Sequence, residues 1–243
     1  MAVNDHMHST TDSAMDDSDF TGRLFCESAE RLFAGKCDKE VVNAAEEGHW
    51  PDELWNELEN LGFTRAALPE TQGGSGVPLA ALLPVVRLAG RFSVPVPLGE
   101  TLVAGWLLAG AGLPVAEGPL AFAPVDRRRP FELSRVDGDW VLDGALRNLP
   151  WGERAARIAL VAESAEGTVV ASVDPSLAEC LPGSSLAGEP RPRLEFRETV
   201  IAPDAIAPAP PGVDADTPYL WGALLRSQQM AGALGAARDL AVR

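Results

Sequence analysis

The sequence predicts an α+β fold in several domains. These are a helical N-terminal domain (20–115), a small antiparallel β-barrel or sandwich (116–202), a linker (203–216) and the first helix of a further, truncated helical domain (217–243). Three observations predict this order. Up to about residue 111, apolar residues recur every three to five positions, the period of amphipathic helices. From Leu120 to Thr199 the period changes to short apolar runs broken by turn signals. After a proline-rich stretch the helical pattern returns near Thr217 and is still running at Arg243.

The first helix is marked by Phe20, Leu24, Phe25, Leu32 and Phe33. The segment before it, 1–19, holds Asp5, Asp12, Asp16, Asp17 and Asp19 without a Lys or Arg, and reads as a disordered tail. A second helix is expected over Cys37–Glu47, closed by Gly48 as a left-handed cap. The third has clear punctuation: Pro51 suits a first helical position, Leu54, Trp55, Leu58 and Leu61 form its apolar stripe, and Gly62 ends it. A loop over 67–77 leads to helical stretches at 79–91 and 98–111. Pro84 predicts that the first of these is kinked there or starts late.

Strands are expected at Phe131–Val136, Trp140–Leu142, Ile158–Ala162, Thr168–Val173 and Leu194–Thr199. Asp137-Gly138 and Glu166-Gly167 supply hairpin turns between pairs of them. Four prolines between Pro203 and Pro211 keep the linker extended. The last helix carries Leu220, Leu224 and Leu234 beside Ala231, Gly232, Ala233, Gly235, Ala236 and Ala237, a composition suited to close helix packing. The sequence after it supplies no partner. The expectation is therefore a truncation, or a second polypeptide completing a bundle.

Composition excludes several function classes. A net charge of −15 opposes a nucleic-acid surface. The longest weakly polar run, Leu102–Val115, is shorter than the roughly 20 residues of a membrane span. No basic segment precedes an apolar one at the start, so no secretory signal is read and a cytoplasmic location is expected. Cys26, Cys37 and Cys180 are scattered and match no metal-site spacing. Gly73-Gly74-Ser75-Gly76 lacks the strand and Lys of a phosphate loop, and Gly110-Ala111-Gly112 closes a helix where a dinucleotide fingerprint opens one. His6 and His8 lie in the tail, which leaves His49 as the lone histidine of the folded region and excludes histidine triads and His-rich metal sites. Asp52, Glu53, Glu57 and Glu59 read as a solvated helix face.

Three segments, in order and with matching spacing, carry a resemblance. Trp55-Asn-Glu-Leu-Glu-Asn-Leu-Gly-Phe63 followed by Leu68-Pro69-Glu70-Thr-Gln-Gly73-Gly74-Ser-Gly76 resembles the acyl-CoA dehydrogenase family, which writes W…L…LG…PE…GG.G here. Asp139-Trp-Val-Leu-Asp-Gly144 is similar to that family's middle-domain strand and turn. Arg226-Ser-Gln-Gln-Met-Ala-Gly-Ala-Leu-Gly235 is similar to the opening of its C-terminal domain. The resemblance implies a helical domain, a β-barrel and a four-helix bundle, with FAD between barrel and bundle and contributions from a neighbouring subunit. It implies a flavoprotein oxidoreductase of lipid metabolism that removes two hydrogens from an acyl-CoA thioester. A glutamate takes the α-proton and hydride goes to flavin, chemistry that no side chain supplies. An electron-transfer flavoprotein or similar acceptor and a homo- or hetero-oligomer, dimer or tetramer, are implied as partners.

The cofactor-binding residues implied are Phe122, Ala123 and Pro124 for the family's T-E-P loop, and Asn148, Leu149, Pro150 and Trp151 for its W-I-T segment. Both depart from the family. Ala123 stands at the threonine position, and the Gly-Ser-Asp portion has no counterpart in Val125–Arg129. Pro150 has neither hydroxyl nor N–H to offer flavin N5. Trp151 either covers the flavin ring or anchors the edge of the barrel. Arg127-Arg128-Arg129 is either a surface turn or a site for a pyrophosphate or CoA phosphate. The sequence ends before the family's R-x-x-F-G signature and its catalytic glutamate, so no catalytic residue carries over. Two alternatives follow: a non-catalytic partner subunit of a heteromeric dehydrogenase, and an acyl-CoA-binding module without redox activity.

Overall fold

Each element follows from a short stretch of sequence chemistry, and the computed structural model describes residues 9–123 and 131–242 of them. Helix α1 (Ser9–Lys36) starts ahead of Phe20 and takes in part of the segment expected to be a disordered tail. Elongating a helix whose later turns are already packed adds one hydrogen bond per residue fixed, so the extension costs little. The packed part buries Ala29 and Phe33. Helix α2 (Lys39–Glu46) is capped by the Asp38 carboxylate, which accepts from the Val41 N–H at 2.9 Å. Gly48 follows it with φ +91°. Helix α3 (Asp52–Asn60) buries Leu54, Trp55 and Leu58, and Gly62 turns the chain with φ +76°. The region around Pro84 resolves as the late start that proline demands. Leu79–Leu82 forms a 3₁₀ turn, and α4 (Leu83–Arg91) begins with Pro84 in its first turn. Helix α5 (Leu98–Gly110) is buried on nearly every side.

The β region forms two four-stranded sheets. One has the order β1 (Leu120–Ala123), β4 (Arg157–Ser164), β5 (Gly167–Val173), β8 (Ile206–Pro208). The other runs β2 (Glu132–Val136), β3 (Asp139–Leu146), β7 (Arg193–Ile201), β6 (Glu179–Leu181). The expected barrel does not close: the outer strands β1, β8, β2 and β6 are edges, and the layers are those of a sandwich. Nor is the pairing wholly antiparallel, since β1 runs parallel to β4. The first sheet is covered on both faces. Ile158, Leu160 and Ala162 of β4 face the second sheet, while Ala159 and Val161 face the helices. This double burial explains a strand written as an unbroken apolar run. Part of the linker is also recruited, with Ile206–Pro208 pairing onto β5.

Helix α6 (Thr217–Ala241) returns to the helical layer and crosses α4 closely. A methyl group on Gly232 would lie 1.9 Å from the Arg87 carbonyl oxygen, and one on Gly90 would lie 2.1 Å from the Gln229 carbonyl oxygen. The face of α6 at Gly232 is therefore already packed on α4, while Leu220, Ala233, Leu234 and Ala237 are exposed. No helix among the described residues is long and apolar enough to cross a membrane.

Candidate functional site

The three structural units meet where α5, α6, the β6–β7 loop and the turn after β3 converge. Helix α5 carries one charged residue, Glu100, among otherwise apolar and small neighbours. Its side chain is 3% exposed and is paired with Arg226 of α6. Arg226 also reaches Glu189 of the β6–β7 loop at 3.0 Å and donates to the Gln229 side-chain oxygen at 2.6 Å. Arg191 closes the set by donating through Nη2 and Nε to the other oxygen of Glu189, at 2.7 and 3.0 Å. Two carboxylates and two guanidiniums thus form a balanced quartet joining helix, helix and loop. Burial pushes the Glu100 carboxyl above its usual range; the Arg226 guanidinium opposes that shift, and the nearby Glu189 adds to it.

The next residue on α5, Thr101, ties the helix to the first sheet. Its hydroxyl accepts from the Leu120 N–H at 3.1 Å. Beside the quartet opens a cleft of about 350 Å³. Val42, Val94, Pro95, Val96 and Trp151 provide apolar walls, and Glu189, Arg226 and Gln229 provide polar ones.

The residues expected to touch a flavin do not gather at one surface. Phe122 is 4% exposed in the helical core, whereas Ala123 and Leu149 are each 1% exposed in the core between the sheets. Pro124 lies outside the described residues, as do Asp126 and Arg127-Arg128-Arg129. Asn148, Pro150 and Trp151 do share the turn after β3, which has positive φ at Asn148 (+52°) and Trp151 (+59°). The flanking backbone donors of this turn are spent. The Leu149 N–H donates to the Pro192 carbonyl at 3.0 Å and the Trp151 N–H to the Pro190 carbonyl at 2.9 Å. Pro150 has no N–H, and Asn148 is exposed to solvent.

The Trp151 indole is spent as well. It meets Trp50 edge to face with centroids 6.0 Å apart, and Trp50 in turn packs on Trp55 at 5.6 Å. Arg154 caps the set, its guanidinium 6.0 Å from the Trp50 ring and Nη2 donating to the Gly48 carbonyl at 3.1 Å. Of the two roles open to Trp151, the packing fits an anchor: it fastens the sandwich to the α2–α3 corner. Neither the Leu149 nor the Trp151 backbone N–H is left over to meet a flavin.

Glu100, Arg226, Glu189, Arg191 and Gln229 were not singled out by sequence. The signal for Glu100 was present, a single carboxylate in an otherwise uncharged helix. Arg226 lay inside the resemblance segment with nothing local to mark its partners. Among the described residues no group of three or more His, Cys, Asp or Glu side chains could hold a metal ion.

Comparison with known proteins agrees with this arrangement. Residues 21–113 match the sequence model of the acyl-CoA dehydrogenase N-terminal domain. No curated protein matches the sequence. Among solved structures, the ChsE4-ChsE5 complex from Mycobacterium tuberculosis is similar with TM-score 0.76 and 19% identity, over 90% of this chain and 65% of that one. A Tcur3481-Tcur3483 steroid ACAD variant is similar with TM-score 0.71 and 23% identity, over 88% and 63%. Butyryl-CoA dehydrogenase from Megasphaera elsdenii gives 0.69 and 16%, over 90% and 68%. The chain thus spans about two thirds of the length of these structures. Residues 21–113 thus match the N-terminal domain of the acyl-CoA dehydrogenases, and the chain as a whole shares the fold of the similar structures.

Proposed function

We propose that this chain is one component of an acyl-CoA dehydrogenase built from unlike chains, in which another chain supplies the flavin-facing turn. The observation that carries the reading is the state of the 148–151 turn. Its Leu149 and Trp151 N–H groups are given to Pro192 and Pro190, its third position is a proline, and its indole is locked against Trp50. Two of the similar structures bear two-component names, ChsE4-ChsE5 and Tcur3481-Tcur3483, which supports a paired assembly. The substrate of the assembly is an acyl-CoA thioester and its acceptor an electron-transfer flavoprotein or a similar carrier.

In that assembly this chain's residues bind and position. The α5–α6 pairing through Glu100 and Arg226 fixes the helix that faces the remainder of the enzyme. The Trp50–Trp151 contact fixes the sandwich against the helical unit. A second reading, a chain that holds FAD itself and passes hydride to it, is favoured by a neighbour solved as an FAD complex, PigA, at TM-score 0.69 and 13% identity.

One experiment separates the two. The natural full-length protein is purified alone and after co-expression with acyl-CoA dehydrogenase-fold chains of the same organism, and bound flavin is measured by visible absorbance. A colourless protein alone, and a stoichiometric complex holding one flavin per two chains, supports the paired reading. One flavin per chain on the protein alone overturns it.

A further inference from the structure

The cleft beside the ion quartet has a composition that selects its occupant. Its apolar walls are Val42, Ala45, Val94, Pro95, Val96 and Trp151, drawn from α2, the α4–α5 connection and the turn after β3. Its volume of about 350 Å³ is that of a small-molecule site. Such sites combine apolar walls with a few fixed polar groups, and here the polar groups have fixed states.

Arg226 and Arg191 face inward to Glu189 and Glu100, so each guanidinium is already committed to a carboxylate. A carboxylate entering the cleft would be desolvated without finding a free cation, and Glu46 on the rim would repel it. Gln229 is different. Arginine only donates, so Gln229 must turn its side-chain oxygen to Arg226, which it does at 2.6 Å. That leaves its Nε2 group, which has no partner among the described residues, as the donor on the cleft wall.

We propose that this cleft binds an uncharged apolar molecule through one carbonyl-type acceptor held by Gln229, the balanced quartet excluding free carboxylates. The inference stands apart from the flavin question. It concerns binding by this chain, and its failure would leave the paired-assembly reading untouched.

The test uses the full chain with two probes of equal length, 2-octanone and sodium octanoate, followed by saturation-transfer NMR and isothermal titration. The ketone is expected to bind at least about tenfold more tightly than the carboxylate, because the latter is desolvated unpaired. Gln229→Met keeps the shape and removes the donor, and should weaken ketone binding by about fivefold. Ala45→Trp fills the cleft from α2 and should abolish it, which provides an independent variant if Gln229→Met perturbs folding. Unchanged thermal unfolding midpoints establish that each variant is folded. Equal or tighter binding of octanoate, no binding of either probe, or ketone binding unmoved by both variants would overturn the proposal.

Discussion

Glu100 and Arg226, 126 residues apart in sequence, meet at the junction of α5 and α6 with the carboxylate buried. Glu100 depends on this single strong partner, whereas Arg226 keeps a second one in Glu189 at 3.0 Å. The pair is therefore asymmetric, and its two halves should not cost the same to remove.

Arg226→Met strands a buried carboxylate, which costs about 3–5 kcal/mol when such a pair is broken from the cationic side. Glu100→Gln leaves Arg226 paired with Glu189 and should cost clearly less, about 1 kcal/mol. Urea unfolding of both variants measures the difference. Equal losses would mean that the burial of Glu100 is not what makes the pair matter.

The same group sets a pH dependence. The folded-state pKa of Glu100 is raised, chiefly by burial, above the usual 4.5. The folded protein therefore holds that proton more tightly than the unfolded chain. The stability this contributes is fully present below the usual value and is lost as pH rises through the raised one. Relative to Glu100→Gln, the natural protein should gain stability as pH falls through that window and then level off. Unfolding midpoints of the two proteins between pH 8 and pH 4, roughly the span of the linkage, provide the measurement. A constant difference would contradict the burial assigned to Glu100.

Much of the frame was legible and much of the site was not, for reasons tied to particular residues. Strand β4 announces itself because Ile158–Ala162 are apolar on both faces, and α3 because Pro51 and Gly62 bracket a helical stripe. Strand β6 could not be read: Glu179, Cys180 and Leu181 are all exposed, so no burial pattern marks them. Strand β8 hides in a proline-rich stretch and is a strand only because Val169–Ala171 offer it an edge. Pro150 showed from sequence that a donor was missing. That Trp151 is spent on Trp50, about a hundred positions earlier, is a fact of the assembled layers and leaves no local trace.

The α4–α6 crossing yields a paired substitution test. Gly232→Ala would drive a methyl group to 1.9 Å from the Arg87 carbonyl oxygen, against backbone that cannot swing aside, so the helices must separate. A loss of about 3 kcal/mol or more is expected, the scale of overpacking with backbone shift. Gly235→Ala, on the same helix with Arg91 Nη1 at 4.0 Å as its nearest neighbour, has room and should gain up to about 1 kcal/mol from helix propensity. Thermal unfolding of the two variants tests the crossing, and like-signed shifts would refute it.

The tryptophan anchor predicts coupling between units that are far apart in sequence. Trp151→Ala removes an aromatic pair worth about 0.5–1.5 kcal/mol together with its buried area. Trp50→Ala removes the same pair from the other side, so the double variant should lose less than the sum. A double-mutant cycle by urea unfolding reads the interaction directly, and strict additivity would show that the ladder does not join the sandwich to the helical unit.

The three cysteines should separate by reactivity. Burial, with help from the Asp38 carboxylate, pushes the Cys37 thiol up to about 12, so it is almost wholly protonated near neutral pH. The thiolate is the attacking species, so Cys37 should alkylate slowest. Cys26 is also raised, by burial and Glu30, but is less shielded. Cys180 lies exposed on the edge strand β6 and, although its thiol is raised too, iodoacetamide reaches it without any opening of the fold. Mass spectrometry over a time course should show Cys180 modified first and Cys37 last. In urea the order should collapse, because the unfolded chain shields none of the three. A Cys37 that reacts first in the folded protein would place it outside the packed corner of α1 and α2.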